Sequence, residues 1–174
     1  MKKKALVIGS HVSESLSPLI FNYWFKKYNI NASYSFKEIK PNNFEKEINK
    51  ILKNKEICGF NVTIPFKELI LNKVDFLDKH SKKIGAVNSV SYVNKKWVGK
   101  NTDWIGFSKS IEKKININKK KSALVLGYGG ASKAVLYALK KMNFKQIKIY
   151  NRTPDKIERD DKKFVLNYID LVKQ

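Results

Sequence analysis

The sequence predicts an α/β protein: an N-terminal unit with a parallel or mixed sheet, followed by a shorter second α/β unit. Three observations carry this. Short runs rich in β-branched and aromatic residues, at 4–9, 32–39 and 57–64, alternate with stretches of helical periodicity, an order that places parallel strands beneath crossover helices. A Lys/Asn-rich segment, 113–121, then interrupts the pattern and marks a domain boundary, giving units 1–118 and 119–174. Beyond it the alternation resumes, with glycines at the first strand-to-helix turn.

Lys4 to Gly9 reads as a buried strand that runs into a polar loop, Ser10 to Ser17. Pro18 suits the first turn of a helix, with Ile20, Phe21, Trp24, Phe25 and Tyr28 as its apolar face. Ser17 stands where an N-cap is needed, a role worth about 1 kcal/mol; Ser15 has no such structural duty. Ala32 to Ile39 alternates around Tyr34 and Phe36 and predicts a second strand. Asn43 is placed to cap a helix whose buried face is Phe44, Ile48, Ile51 and Leu52.

The third strand, through Ile57, Phe60, Val62 and Ile64, ends at Pro65. A helix is expected from there, carried by Glu68, Leu69, Ile70, Val74 and Leu77. Lys67 would then lie in its first turn, where a cation at the positive end of the dipole costs about 0.3–1 kcal/mol. A residue that breaks a local rule is a candidate functional residue. Such a setting also lowers a lysine pKa, which suits proton transfer near neutrality.

The pattern then changes to a hairpin: Gly85 to Val93 as one strand, Asn94-Lys95-Lys96 as the turn, and Trp97-Val98-Gly99 returning. Asn101-Thr102-Asp103 precedes a helix bearing Trp104, Ile105, Phe107 and Ile111, with Asp103 in position to cap it.

In the second unit, Ser122 to Leu126 is a strand ending in Gly127-Tyr128-Gly129-Gly130-Ala131-Ser132. A helix through Ala134, Val135, Tyr137, Ala138 and Leu139 follows, then a strand from Gln146 to Tyr150 that ends in Asn151-Arg152-Thr153. Glycines at the first turn of a β-α-β unit are the context of a dinucleotide-binding Rossmann fold. Gly127 permits the tight turn, Gly129 lets the backbone approach a diphosphate, and the helix N-terminus receives it. Ser132 stands at the third glycine position of the general fingerprint. At the end of the second strand, an acidic residue would favour NAD. Arg152, with Thr153 and Lys156 beside it, instead suits the 2′-phosphate of NADP.

Composition narrows the alternatives. Lys and Arg total 36 against 15 Asp and Glu, a net charge of +21, which attracts anions of any kind. The lysines are spread along the whole chain among many Asn and Ile, so nucleic-acid binding is not the expected function. Cys58 is the single cysteine and reads as a small core residue, so neither an intrachain disulfide nor a thiolate metal cluster is expected. His11 and His80 are too isolated to suggest a metal site. No apolar run approaches the ~20 residues of a membrane span, and a cytoplasmic protein is expected.

Taken in order, these stretches resemble the shikimate dehydrogenase family. Ser15-Leu16-Ser17-Pro18 looks like the family's substrate-carboxylate motif. Asn61-Val62-Thr63-Ile64-Pro65-Phe66-Lys67, Gly85-Ala86-Val87-Asn88 and Asn101-Thr102-Asp103 look like its three substrate-site motifs. Gly127-Tyr128-Gly129-Gly130-Ala131 and Asn151-Arg152-Thr153, with Lys156, look like its NADP loop and phosphate clamp. Two flanking positions depart from the family: Ser10-His11 where it often has Asn-Pro, and Phe21-Asn22 where it often has His-Asn.

The resemblance implies a substrate domain followed by a partial Rossmann NADP-binding domain, and reversible reduction of 3-dehydroshikimate to shikimate with NADP(H), a step of aromatic amino-acid biosynthesis. It implies that Ser15 and Ser17 bind the substrate carboxylate and that Thr63, Asn88 and Asp103 read the ring hydroxyls. Lys67 would be the proton donor and acceptor, held by Asp103. A small-molecule substrate, no membrane, and compatibility with a homodimer follow from the same likeness. Relative to the family, the chain is expected to lack the later strands of the nucleotide domain and a late helix that returns a glutamine to the substrate. Alternatives are a quinate or dual quinate/shikimate dehydrogenase and a catalytically impaired ligand-binding fragment.

Overall fold

A computed structural model of the chain describes residues 2–112, 114 and 122–165. It divides into two compact units, 1–101 and 102–174. The Lys/Asn-rich boundary expected at 113–121 lies, apart from Lys114, outside the described residues.

In the first unit, β1 (Lys3–Gly9), α1 (Ser17–Lys27), β2 (Ala32–Glu38), α2 (Phe44–Lys53) and β3 (Ile57–Val62) follow the predicted alternation. β1 pairs in parallel with β2 on one side and β3 on the other. The pleat of β1 then separates two faces. Leu6 and Ile8 join Phe44, Ile48 and Ile51 of α2 in the main core. Ala5 and Val7 pack with Tyr34, Phe21 and Phe25 on the α1 side.

The apolar stripe expected on α1 is mostly exposed. Phe21 and Phe25 dock on the sheet, whereas Ile20, Trp24 and Tyr28 remain 42%, 45% and 63% accessible. Asn22 fixes the helix instead by a pair of hydrogen bonds to the backbone of Tyr34, at 2.7 and 2.9 Å.

The helix expected after Pro65 does not form. The chain turns at 64–68, follows a cis Ile64–Pro65 peptide, and makes only a 3-10 turn at Leu69–Lys73. Two apolar side chains anchor this turn in the core. Phe66 and Ile70 are fully buried, with Phe66 stacked on Phe44 at 4.7 Å, while Ile64 and Leu69 are 69% and 50% exposed. Burying two such side chains contributes about 1.5–3 kcal/mol each. A two-residue strand β4 (Phe76–Leu77) comes next. The six-residue α3 (Lys79–Ile84) follows, its N-terminus capped by Asp78, which accepts from the Ser81 N–H and hydroxyl at 2.7 and 2.6 Å.

The hairpin is β5 (Ser89–Val93) and β6 (Lys96–Lys100), with β5 antiparallel to β3. Asn94 and Lys95 both have positive φ, the two-residue turn whose twist matches that of the strands. The complete sheet runs β2-β1-β3-β5-β6-β4. Residues 85–88, expected in the strand, instead form the loop that enters it.

The second unit begins with α4 (Asp103–Glu112), which packs on the later helix through Trp104 and Tyr137, ring centroids 5.4 Å apart. β7 (Ser122–Leu126), α5 (Gly130–Lys141) and β8 (Gln146–Tyr150) form the expected β-α-β unit, with β7 and β8 parallel. Its core is Val125, Leu136, Leu139, Ile147, Ile149 and Ile157. After β8 the chain makes two 3-10 turns within 154–164, and Val165 then bridges Ile149 in parallel at the edge of the sheet.

Candidate functional site

Within the first unit, three loops at the C-terminal ends of β1 and β3 and at the entry to β5 are tied together by backbone hydrogen bonds. Thr63 N–H donates to Ile8 carbonyl at 2.9 Å, and Ser10 N–H to Ile64 carbonyl at 3.1 Å. Val87 N–H donates to the Lys67 carbonyl at 2.7 Å, and Val62 N–H to the Asn88 carbonyl at 2.9 Å. Thr63, Lys67 and Asn88 are thereby carried on one braced rim, each half-buried. Ligand sites of open α/β sheets collect at strand C-terminal ends, and this rim is of that kind.

Lys67 lies in a turn, not in the first turn of an α-helix, so the expected effect of a helix dipole on it has no basis in the structure. Its place is set instead by neighbours: Phe66 anchors the turn in the core, and the bond from Val87 holds its carbonyl.

Ser15 and Ser17 exchange the roles expected of them. The residue flanking α1 is Leu16, and no side chain caps the helix. The Ser15 hydroxyl accepts from Ser17 N–H at 3.3 Å, so Ser15 supports the helix start and the Ser17 hydroxyl does not. Their loop is held by Glu38, whose Oε1 accepts from Val12 and Ser13 N–H at 2.9 and 3.0 Å. Those two backbone donors, Ser13 first, hold the Glu38 carboxyl below its usual range.

Three residues position the rim, a role that the motifs containing two of them do not reveal. Asn101 is buried, and its Nδ2 donates to the Ala86 carbonyl at 3.0 Å, fixing the loop before Asn88. Asn61 accepts from the Tyr34 hydroxyl at 2.7 Å and donates to the Asn88 carbonyl at 3.2 Å. At Gly9, a Cβ would lie 2.5 Å from Thr63 Cγ2 and 2.6 Å from Val12 Cγ1, so glycine makes room for Thr63. A glycine at the end of a strand is the one cue the sequence offers for it.

Asp103 falls in the second unit, as the first residue of α4 and not its cap. The second unit also holds the glycine loop. Gly127 has φ +94°, a conformation glycine adopts without strain. Gly129 precedes α5 with no side-chain cap, and nothing lies within 4 Å of where its Cβ would be. The first N–H groups of a three-turn helix and an open backbone approach together suit a diphosphate. The Tyr128 ring is turned inward, 8% exposed, and its hydroxyl donates to Asp161 at 2.8 Å. Burial first, then this bond, raises the Tyr128 pKa. Only the backbone of Tyr128 is therefore offered to a ligand. Asp161 also takes Lys140, which ties α5 to the segment after β8. Ala131 is exposed at the start of α5, and Asn151 folds over its own turn, Nδ2 donating to the Thr153 carbonyl at 2.7 Å. Arg152, Thr153 and Lys156 are exposed beside it, and no carboxylate among the described residues pairs with Arg152.

The sequence profile described as the shikimate dehydrogenase substrate binding domain matches residues 7–90, which contain the whole of this rim except Asn101. A shikimate dehydrogenase (NADP(+)) of Aquifex aeolicus is 45% identical over 163 residues, covering 94% of this chain and 60% of the relative. Nearly the whole chain is similar to shikimate dehydrogenases. A crystal structure of shikimate dehydrogenase from Aquifex aeolicus superposes with a TM-score of 0.84 at 41% identity, covering 98% of this chain and 65% of that one. The family's Thermus thermophilus enzyme, solved in complex with NADP(H) and shikimate, gives 0.80 at 27% identity over 95% of this chain and 63% of that one. The chain thus spans about 60% of the length of the curated relative from Aquifex aeolicus. The likeness extends past the first unit, and these family members share its succession of a mixed-sheet unit and a β-α-β unit.

Proposed function

We propose that the chain serves reversible NADPH-dependent reduction of 3-dehydroshikimate to shikimate, with residues 1–118 as the substrate domain and 119–174 as the nucleotide-binding part. The observation that carries this reading is the braced rim, which presents Thr63, Lys67 and Asn88 on hydrogen-bonded loops of one unit. Ser15 and Ser17 bind the carboxylate, and Thr63, Asn88 and Asp103 bind the ring hydroxyls. The Lys67 ammonium gives its proton to the carbonyl oxygen as that oxygen gains negative charge. In the reverse direction its neutral amine takes the proton of the shikimate hydroxyl, a transfer worth about 10²–10⁴-fold. Asp103 holds Lys67 and stabilises its charge.

NADPH, when bound, supplies the hydride. Gly127, Gly129, Gly130 and Ala131 hold its diphosphate by backbone N–H groups, and Arg152, Thr153 and Lys156 hold the 2′-phosphate beside Asn151. Arg152 favours this NADP-linked reading over a quinate-directed relative. A cytoplasmic setting belongs to the same proposal; no described helix is long and apolar enough to cross a membrane.

The test is shikimate-dependent reduction of NADP⁺ by this chain together with direct shikimate binding. Lys67→Ala is expected to lower turnover by two or more orders of magnitude while shikimate binding stays measurable. Near-wild-type turnover in that variant removes Lys67 from the chemistry. A wild-type chain that neither binds nor oxidises shikimate refutes the reading as a whole.

A further inference from the structure

We infer that Tyr34, through Asn61, is a positioning residue that sets Asn88 for recognition of the hydroxyl-bearing side of a carboxylated ring substrate. This rests on the functional reading above.

The geometry fixes the direction of the relay. The Asn88 carbonyl can only accept, so the Asn61 atom facing it at 3.2 Å is the amide nitrogen. The Asn61 oxygen is then left to accept, and the Tyr34 hydroxyl, 2.7 Å away, must donate. Burial keeps that hydroxyl protonated, its pKa raised well above the usual tyrosine value. No other orientation of the amide satisfies both neighbours. The Asn88 peptide is further held by Val62 N–H on its oxygen and by the Lys100 carbonyl on its nitrogen.

The other end of the relay is equally constrained. Tyr34 is 5% exposed, its ring stacked on Phe21 at 4.5 Å and 10°, and its backbone gripped by Asn22. Phe21 and Asn22 belong to α1, the helix that starts at Ser17. A single line of contacts therefore runs from the carboxylate-binding serines through α1, Tyr34 and Asn61 to Asn88. Tyr34 and Asn61 lie on the two strands flanking β1, with Ala5 and Val7 as their register partners there. Such a line holds the two ends of the substrate pocket at one spacing. Losing the phenolic hydroxyl frees the Asn61 amide to turn and leaves the Asn88 carbonyl with one donor fewer.

Tyr34→Phe removes only the oxygen and keeps the stacked ring. Binding to this chain is measured by calorimetry for shikimate and for cyclohex-1-ene-1-carboxylate, which has the same ring and carboxylate and no hydroxyls. The expected result is a loss of about five- to tenfold for shikimate, the yield of one disturbed hydrogen bond, with the affinity for the bare carboxylate unchanged within about twofold. Asn61→Asp is the second variant: its carboxylate still accepts from Tyr34 but cannot donate to Asn88. It should show the same selective loss, and combining the two changes should add little to either. An equal loss for both ligands assigns Tyr34 a merely structural role and overturns the inference, as does unchanged shikimate affinity in both variants. A wild-type chain that binds no shikimate overturns the functional reading itself and this inference with it, an outcome distinct from the other two.

Discussion

Gly9→Ala tests whether Thr63 owes its position to the end of β1. The added methyl would lie 2.5 Å from Thr63 Cγ2, 2.6 Å from Val12 Cγ1 and 3.2 Å from the Ile64 carbonyl oxygen. Carbon–carbon contact is comfortable from about 3.5 Å, so two neighbours must each give roughly 1 Å. Neither can do so freely. The Thr63 backbone is bonded to Ile8 and that of Ile64 to Ser10, while Val12 is 3% exposed and its N–H is held by Glu38. Overpacking of this size costs about 1–3 kcal/mol, offset by about 0.4–1 kcal/mol from the stiffer unfolded chain. A net loss of about 1–2 kcal/mol lowers a urea midpoint by about 0.5–1 M for a slope near 2 kcal/mol/M. Shikimate affinity should fall by about fivefold or more, as the Thr63 hydroxyl moves off its hydrogen bond. An unchanged midpoint refutes the packing argument. A lowered midpoint with unchanged affinity keeps the packing but removes Thr63 from the substrate site.

Two further outcomes are expected. Arg152→Ala should weaken NADP⁺ binding by about tenfold to a hundredfold, the loss of a charge-assisted contact of about 1.5–3 kcal/mol, and leave NAD⁺ binding unchanged; equal wild-type affinity for the two nucleotides refutes the 2′-phosphate assignment. The Glu47 carboxyl is lowered to about 2, by Lys37 first and Lys50 second. A depressed carboxylate adds stability that is full above its unfolded pKa near 4.5 and is lost as pH falls toward 2. The gap in urea midpoint between wild type and Glu47→Gln should therefore be open at about pH 6, close by about pH 2, and narrow in high salt; a gap independent of pH contradicts this.

The alternating elements are legible because each carries its own period. β1 and β3 are short apolar runs, and α2 spaces Phe44, Ile48 and Ile51 onto one face, so local pattern and global burial agree. Where they disagree, the sequence misleads. After Pro65 the apolar spacing of Leu69, Ile70 and Val74 imitates a helix, yet only Phe66 and Ile70 are fully buried there, Leu71, Val74 and Leu77 pack partly against the core, and the chain tightens into a 3-10 turn. On α1 the same imitation runs the other way: a long aromatic stripe is present, but two rings and the amide of Asn22 suffice to dock it. α3, only six residues long, is too short for periodicity to show and is signalled only by the Asp78-Lys79-His80-Ser81 cap.

The site divides along the same physical line. Residues proposed to touch substrate, such as Lys67 and Asn88, are found through motifs, because chemistry restricts which side chains can do the work. Helix position gives Lys67 no support, since no helix forms there; its support lies in the motif and in the rim that carries it. Asn61 and Asn101 stand in quoted motifs, but their role in holding the rim does not show there, since their partners are distant: Asn61 lies 27 positions from both Tyr34 and Asn88, and Asn101 lies 15 from Ala86. No window of helical or strand periodicity spans such separations. A buried amide, however, has both a donor and an acceptor to satisfy, and leaving either unpaired costs about 1–3 kcal/mol. An asparagine that a strand or a core retains against its propensity therefore implies two fixed neighbours. For Asn61 those neighbours are a phenol that can only give here and a carbonyl that can only take, which is why the amide can pass a positional constraint from one end of the pocket to the other.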